Sequence, residues 1–214
     1  SPFSLARFND GEMHVLLNAF YYCHDFQFDP SIKEEEELCA VFSQRLREAL
    51  KWKHPSYYVG IMCPHCFHPW AHERMKLMSQ QAEKQLTWAS VFANTNFFDF
   101  VDLLLPQLSH RKDIYLIANE KAQTHLLPFK LQDFFPITRN VWKLDPLEIV
   151  RPIKEKIRNE RIKNALFLFC SGPSTAIYVQ ELCDFEEENS YIDLGSSLDL
   201  WLFKIASRQY QYAS

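Results

Sequence analysis

Between residues 57 and 206 the chain alternates short β-rich runs with longer stretches of helical period. The runs are "YYVGI" (57–61), "TWASVF" (87–92), "DIYLIA" (113–118), "DFFPI" (133–137), "ALFLFC" (165–170) and "SYIDL" (190–194). Helical patterns follow them at 70–84, 97–108, 120–127, 145–160, 173–183 and 196–206. Parallel strands need a crossover of about a dozen residues or more, and helices supply it. The expected fold class is therefore α/β, a mostly parallel sheet with helices on both faces. "ALFLFC" is almost wholly apolar, as a strand covered on both faces should be. One further helix is expected ahead of the alternation, where Leu38, Val41, Phe42, Leu46 and Ala49 recur at helical spacing. The acidic run at 34–37 suits the positive end of that helix and reads as its solvated start.

A chain of 214 residues can bury a real core, and we expect a single domain over 1–214. It opens SPFSLARF rather than with Met, which leaves room for residues ahead of Ser1. A net charge of -4 argues against a nucleic-acid binder, and no nucleic-acid partner is expected. No apolar run approaches the roughly 20 residues of a membrane span. The six cysteines lie among apolar neighbours or in one CxxC, and the chain is too long to need a disulfide framework. The expectation is a reducing, cytoplasmic location.

Glycine is scarce, four in 214 residues, about 2% where roughly 7% is usual. Gly60 falls late in a predicted strand, Gly172 and Gly195 follow strand ends, and Gly11 stands just before a predicted helix. In a parallel sheet those junctions share one edge, where ligands bind. A plain turn explains any one of them; all four together favour a ligand edge.

The segments at these junctions carry the chemistry. In "RFNDGE", Asp10 and Glu12 stand two apart and would point the same way on an extended or tightly turned backbone. Converging carboxylates invite a hard cation, Mg²⁺ or Mn²⁺, which binds through one or two carboxylates plus phosphates. Arg7 would add a bidentate phosphate contact. The simpler reading is a helix cap, with Asp10 capping and Glu12 complementing the dipole, and spacing alone favours it. "CSGPSTAIYVQEL" is a strand, a turn at Gly172 and Pro173, then a helix, whose free N–H groups favour an anion. A plain strand-to-helix turn is the alternative. "YIDLGSSLDL" puts Asp193 at a strand end and Asp199 about one and a half turns into the next helix. Asn94, Asn96, Asn119 and Lys121 follow other strands; each alone is more often a cap or surface residue.

"CPHCFHPWAH" offers Cys63, His65, Cys66, His68 and His72 for zinc. No second CxxC completes a structural site, so the favoured reading is a tight loop at the ligand edge, with packed cysteines and with His and Trp70 lining the pocket.

In this order the segments resemble the GT-D fold family of glycosyltransferases, whose opening motif is approximately R-[FY]-G-D-G-E. Here it reads Arg7, Phe8, Asn9, Asp10, Gly11, Glu12. The resemblance continues through "YYVGI", "RKDIYLIANE", "CSGPS" and a closing Ile192, Asp193, Leu194, Gly195 with Asp199. It implies a Rossmann-like domain that transfers a sugar from a nucleoside-diphosphate sugar, taken as a UDP-sugar, to a glycan or glycoconjugate acceptor. It implies that Asp10 and Glu12 serve Mn²⁺ or Mg²⁺ and the donor diphosphate, and that a late acidic residue takes part: Asp199, or second Asp193. Arg7, Asn9, Gly11, Asn94, Lys121, Gly172 and Gly195 would complete the donor site. Asn9 stands where the family has glycine, and Asn is one of the few residues that enters the left-handed region readily. Two other readings are carried beside it: a non-catalytic nucleotide- or glycan-binding module, and a metal-dependent phosphohydrolase using the same carboxylates.

Overall fold

A computed structural model describes residues 1–23, 26–65, 68–138 and 141–213. Its centre is a seven-stranded sheet of β1 (Ser4–Arg7), β4 (Tyr57–Ile61), β5 (Leu86–Trp88), β6 (Ile114–Asn119), β7 (Asp133–Ile137), β8 (Leu166–Cys170) and β9 (Ser190–Asp193). The order is β5-β4-β1-β9-β8-β6-β7, and every pair is parallel. A small antiparallel hairpin, β2 (Tyr21–Cys23) with β3 (Phe26–Phe28), stands apart from it.

The long helices are α1 (Asp10–Leu16), α2 (Glu36–Lys51), α3 (Pro69–Ser79), α6 (Pro146–Glu160) and α7 (Thr175–Phe185). Met13, Leu46, Met75, Ile153 and Leu182 from them share one core with Ala6, Val59, Phe167 and Tyr191 of the sheet. On the other face Leu5, Leu116, Leu168 and Ile192 meet Phe97, Phe100 and Leu105 of a segment running through α4 (Asn96–Asp99) to α5 (Leu105–Leu108). Leu198 and Leu202, around α8 (Asp199–Leu202), close that second core. Alternate strand residues thus feed opposite layers. The α/β, Rossmann-like expectation is met, with helices on both faces.

The differences from the sequence expectation have local causes. β1 lies upstream of the alternation, so Gly11 is inside α1 rather than before it, and Asn9 rather than Asp10 is the N-cap. The pattern at 70–84 stops at Ser79 because Gln80 turns left-handed, φ 53°. The helical run at 97–108 widens to a π-helix at Phe100–Leu104, immediately before Pro106, which has no N–H to donate. Only Thr124–Leu126 of the 120–127 pattern coils, as a 3₁₀ turn ahead of Pro128. β5 ends at Trp88, where residues 89–92 turn instead of extending. Only Asp199–Leu202 of the 196–206 pattern is helical, so Asp199 opens α8 instead of standing one and a half turns inside it.

Candidate active site

The site follows from which face each connection takes. The chain leaves β1 for α1 and β8 for α7, both on one face; β9, between them, leaves for α8 on the other. Neighbouring strands whose exits part in this way open a crevice beyond their carboxyl ends. Arg7 is the last residue of β1 and Asp193 the last of β9.

These two residues are locked together. Asp193 is 5% exposed. Its Oδ2 accepts the Arg7 backbone N–H at 3.3 Å, its Oδ1 accepts the Gly195 N–H at 2.9 Å, and Arg7 Nε lies 3.6 Å from Oδ1. Arg7 Nη1 also donates to the Ala89 carbonyl, 2.9 Å away, and the guanidinium lies 5.9 Å from the centre of the Phe92 ring. The side chain needs room from two glycines. A Cβ on Gly60, its partner in register on β4, would sit 3.3 Å from Arg7 Cγ and 3.2 Å from Ala89 Cα. A Cβ on Gly195 would sit 1.9 Å from Arg7 Nη2, and Gly195 also has φ +55°. Burial pushes the Asp193 carboxyl above the usual carboxylate range, against the pull of Arg7.

Across from this pair, "RFNDGE" has the geometry of a helix cap. Glu12 Oε2 accepts the Asn9 backbone N–H at 2.8 Å, the reach-back of a capping box. Asp10 and Glu12 are therefore the first and third residues of α1, and the shared direction expected from an extended backbone is not what relates them. Glu12 instead faces Asp193, which shares a sheet face with Tyr191 beneath α1. Its carboxyl is raised to about 7, first by burial, then by the Asp193 charge, with a smaller push from Asp10. The Tyr21 ring leans on Gly11, and burial followed by the Asp10 charge raises its hydroxyl above the ordinary range.

Asp199 accepts a hydrogen bond from Ser207 Oγ. The Cys170 thiol, at the end of β8, is pushed up by burial and then by the charges of Asp199 and Asp193. Asp10, Glu12, Asp193 and Asp199 thus gather around the ends of β1, β9 and β8. Other expected residues stand further out. Asn94 is exposed in a left-handed turn after β5, φ 54°. Lys121 is exposed after β6, its N–H donating to Asn119 Oδ1 at 2.9 Å. β5 and β6 are five strand spacings apart, roughly 24 Å, so these two flank the cluster on opposite sides. Gly172, φ +65°, begins a 3₁₀ turn leading into α7, with nothing near its missing Cβ.

Among the described residues no three His, Cys, Asp or Glu side chains converge as a metal cage. Of the zinc expectation, Cys66 lies outside the described residues. His72 Nδ1 is bonded to the Met62 carbonyl at 2.8 Å, His65 stands edge-on to Trp88, and His68 packs beside Trp70. A shallow depression of about 160 Å³ is lined by His72, Lys76, Thr87 and Trp88 and contains none of the clustered carboxylates.

The sequence reading missed Tyr21, Cys170, the Ala89 carbonyl and Arg208. Arg208 Nη1 and Nη2 lie 3.7 and 3.8 Å from Cys23 Sγ. Nothing in "ASRQYQY" sets that arginine apart from a surface residue.

No family model and no curated protein matches this chain. Solved structures do share its fold. A domain described as "highly conserved domain of unknown function 1792", with "a distinct glycosyltransferase fold", superposes with a TM-score of 0.61 at 15% identity, over 93% of this chain and 75% of that one. A protein from Streptococcus sanguinis, described as a new glycosyltransferase of the same domain type, gives a TM-score of 0.55 at 17% identity, over 92% and 78%. This chain has the α/β, Rossmann-like fold of those glycosyltransferase-fold domains.

Proposed function

We propose that the protein is a metal-assisted glycosyltransferase. It would move a sugar from a nucleoside-diphosphate sugar, in the first instance a UDP-sugar, to a glycan or glycoconjugate acceptor. The observation that carries this is the gathering of Asp10, Glu12, Asp193 and Asp199 at a crevice between strands with opposite exits, in a fold shared with glycosyltransferase-fold domains.

Asp10 and Glu12 bring the hard oxygen donors that Mn²⁺ or Mg²⁺ takes, although as first and third residues of α1 they do not point together and Glu12 Oε2 already accepts the Asn9 N–H. Burial first, and then the Asp193 charge, raise the Glu12 carboxyl to about 7. An ion that takes only one or two carboxylates from a protein fills its other positions with water and phosphate oxygens. Asp10 and Glu12 would hold it, directly or through water. Bound there, the ion supplies Lewis-acid neutralisation of charge on the leaving diphosphate.

The chain's own residues do the rest. Arg7 and Asp193 are tied to each other, to Gly195 and to Ala89, and hold the ends of β1 and β9 in fixed register. Asn9 and Gly11 set the backbone that presents Asp10 and Glu12. The turn at Gly172 offers backbone N–H groups to the anion, whereas Lys121 and Asn94, after strands roughly 24 Å apart, stand too far out for donor contacts. In an inverting transfer Asp199 takes the proton of the acceptor hydroxyl, and its bond from Ser207 orients the carboxylate.

The test is donor hydrolysis and transfer with purified protein, with and without EDTA. Turnover that falls with EDTA and in Asp10→Ala with Glu12→Ala supports the proposal; full activity in that double variant refutes the metal role. Phosphate release from simple phosphoesters would instead favour a phosphohydrolase, and nucleotide binding without turnover of any donor a binding module.

A further inference from the structure

Resting on the donor site just proposed, we infer that Arg208 is the guanidinium that grips the donor's diphosphate. The segment at 207–211 is tied at several points to the loop that follows β9. Ser207 Oγ donates to Asp199, Gln211 Nε2 donates to the Ser196 carbonyl at 2.8 Å, and Tyr210 Oη lies 3.3 Å from Ser196 Oγ. From that anchorage Arg208 reaches across to Cys23 in the hairpin that follows α1. The segment therefore joins the residues after β9 to the hairpin that follows α1.

Arg208 differs from the other cations near the crevice. Arg7 gives Nη1 to the Ala89 carbonyl and lies 3.6 Å by Nε from the buried Asp193, so its charge is already shared with a carboxylate. Lys121 is exposed beyond β8, two strands from β9. Arg208, half-buried, has a thiol as its side-chain partner and no carboxylate within ion-pair distance among the described residues. A thiol is a weak acceptor, and a partly desolvated guanidinium so served keeps most of its hydrogen-bonding capacity for an anion. It also lies within electrostatic reach of Asp10 and Tyr21, so the anion it takes is one seated beside the proposed metal ligand. A planar fork matches the oxygens of a phosphate in pairs. A diphosphate adds negative charge to a crevice that already holds Asp10, Glu12, Asp193 and Asp199, and Arg208 supplies a cation for it.

The experiment is calorimetry with Mn²⁺ and UDP, GDP and dTDP, each beside its free nucleoside, on the wild type, Arg208→Ala, Arg208→Lys and Cys23→Ala. A charge-assisted hydrogen-bond pair predicts that Arg208→Ala weakens the preferred diphosphate by at least ~10-fold and leaves its nucleoside unchanged. Arg208→Lys should fall between, and Cys23→Ala should bind the diphosphate as well as the wild type or better. Diphosphate affinity in Arg208→Ala within about twofold of wild type overturns the inference while leaving the donor site standing. Equal weakening in Cys23→Ala also overturns it, because docking of the segment rather than the guanidinium would then be responsible. If the wild type binds none of the diphosphates, the donor site fails and the inference fails with it.

Discussion

Replacing Gly195 with alanine should cost far more than the same change at Gly172, although both have positive φ, +55° and +65°. The shared part is backbone strain, about 1–2 kcal/mol for a side chain in the left-handed region. At Gly172 that is the whole effect, since a Cβ there meets nothing within 4 Å. At Gly195 the Cβ would lie 1.9 Å from Arg7 Nη2, far inside contact distance, so the guanidinium must move. Moving it strips Asp193, 5% exposed, of its cation and takes Nη1 from the Ala89 carbonyl. Breaking one side of a buried pair costs about 3–5 kcal/mol. Gly195→Ala should therefore lose about 4–7 kcal/mol and Gly172→Ala about 1–2 kcal/mol. Urea unfolding of both variants reads the difference directly; in thermal melts each kcal/mol moves Tm by roughly 2–4 °C for a chain of this size. Losses within ~1 kcal/mol of each other would show that Arg7 yields without cost, and the lock between β1 and β9 would then be no lock.

Two further outcomes follow from the same geometry. The Glu12 carboxyl is raised from an ordinary 4.5 to about 7, so between those values the folded state holds more proton than the unfolded one, and stability falls as pH rises through that window. Glu12→Gln keeps an acceptor for the Asn9 N–H and removes the charge, so in metal-free buffer its Tm should vary less between pH 5 and pH 8 on thermal scans, and exceed wild type at the upper end; parallel curves would contradict this. Asp199→Asn, which keeps an acceptor for Ser207 Oγ, should lower kcat by about 10²–10⁴-fold if transfer is inverting, with a far smaller change in donor binding by calorimetry; a wild-type kcat removes Asp199 from proton transfer.

Strong periodicity made the sheet legible. β4 at 57–61 and β7 at 133–137 fall where the pattern places them, and β8 lies within "ALFLFC". β1 was hidden because it ends in an arginine that is buried by pairing and by two glycines, and neither is a local signal. The loop-borne helices failed where a single residue decides the backbone: Pro106, Pro128, and Gln80 in its left-handed turn. The segments "RFNDGE" and "YIDLG" both lie at carboxyl ends of the sheet, after β1 and β9. The pairing of Arg7 with Asp193 could not be read, since 186 residues separate them and only the sheet order makes them neighbours. Arg208 was equally silent, its position set by contacts of the segment at 207–211 with Ser196, Asp199 and Cys23.

The most direct test of the donor site is the anomalous signal of manganese in crystals grown with Mn²⁺ and UDP. A peak beside the carboxylates of Asp10 and Glu12, beyond the end of β1, is expected, with the diphosphate next to it. Manganese and nucleotide seated elsewhere, such as in the depression lined by His72 and Trp88, would contradict this.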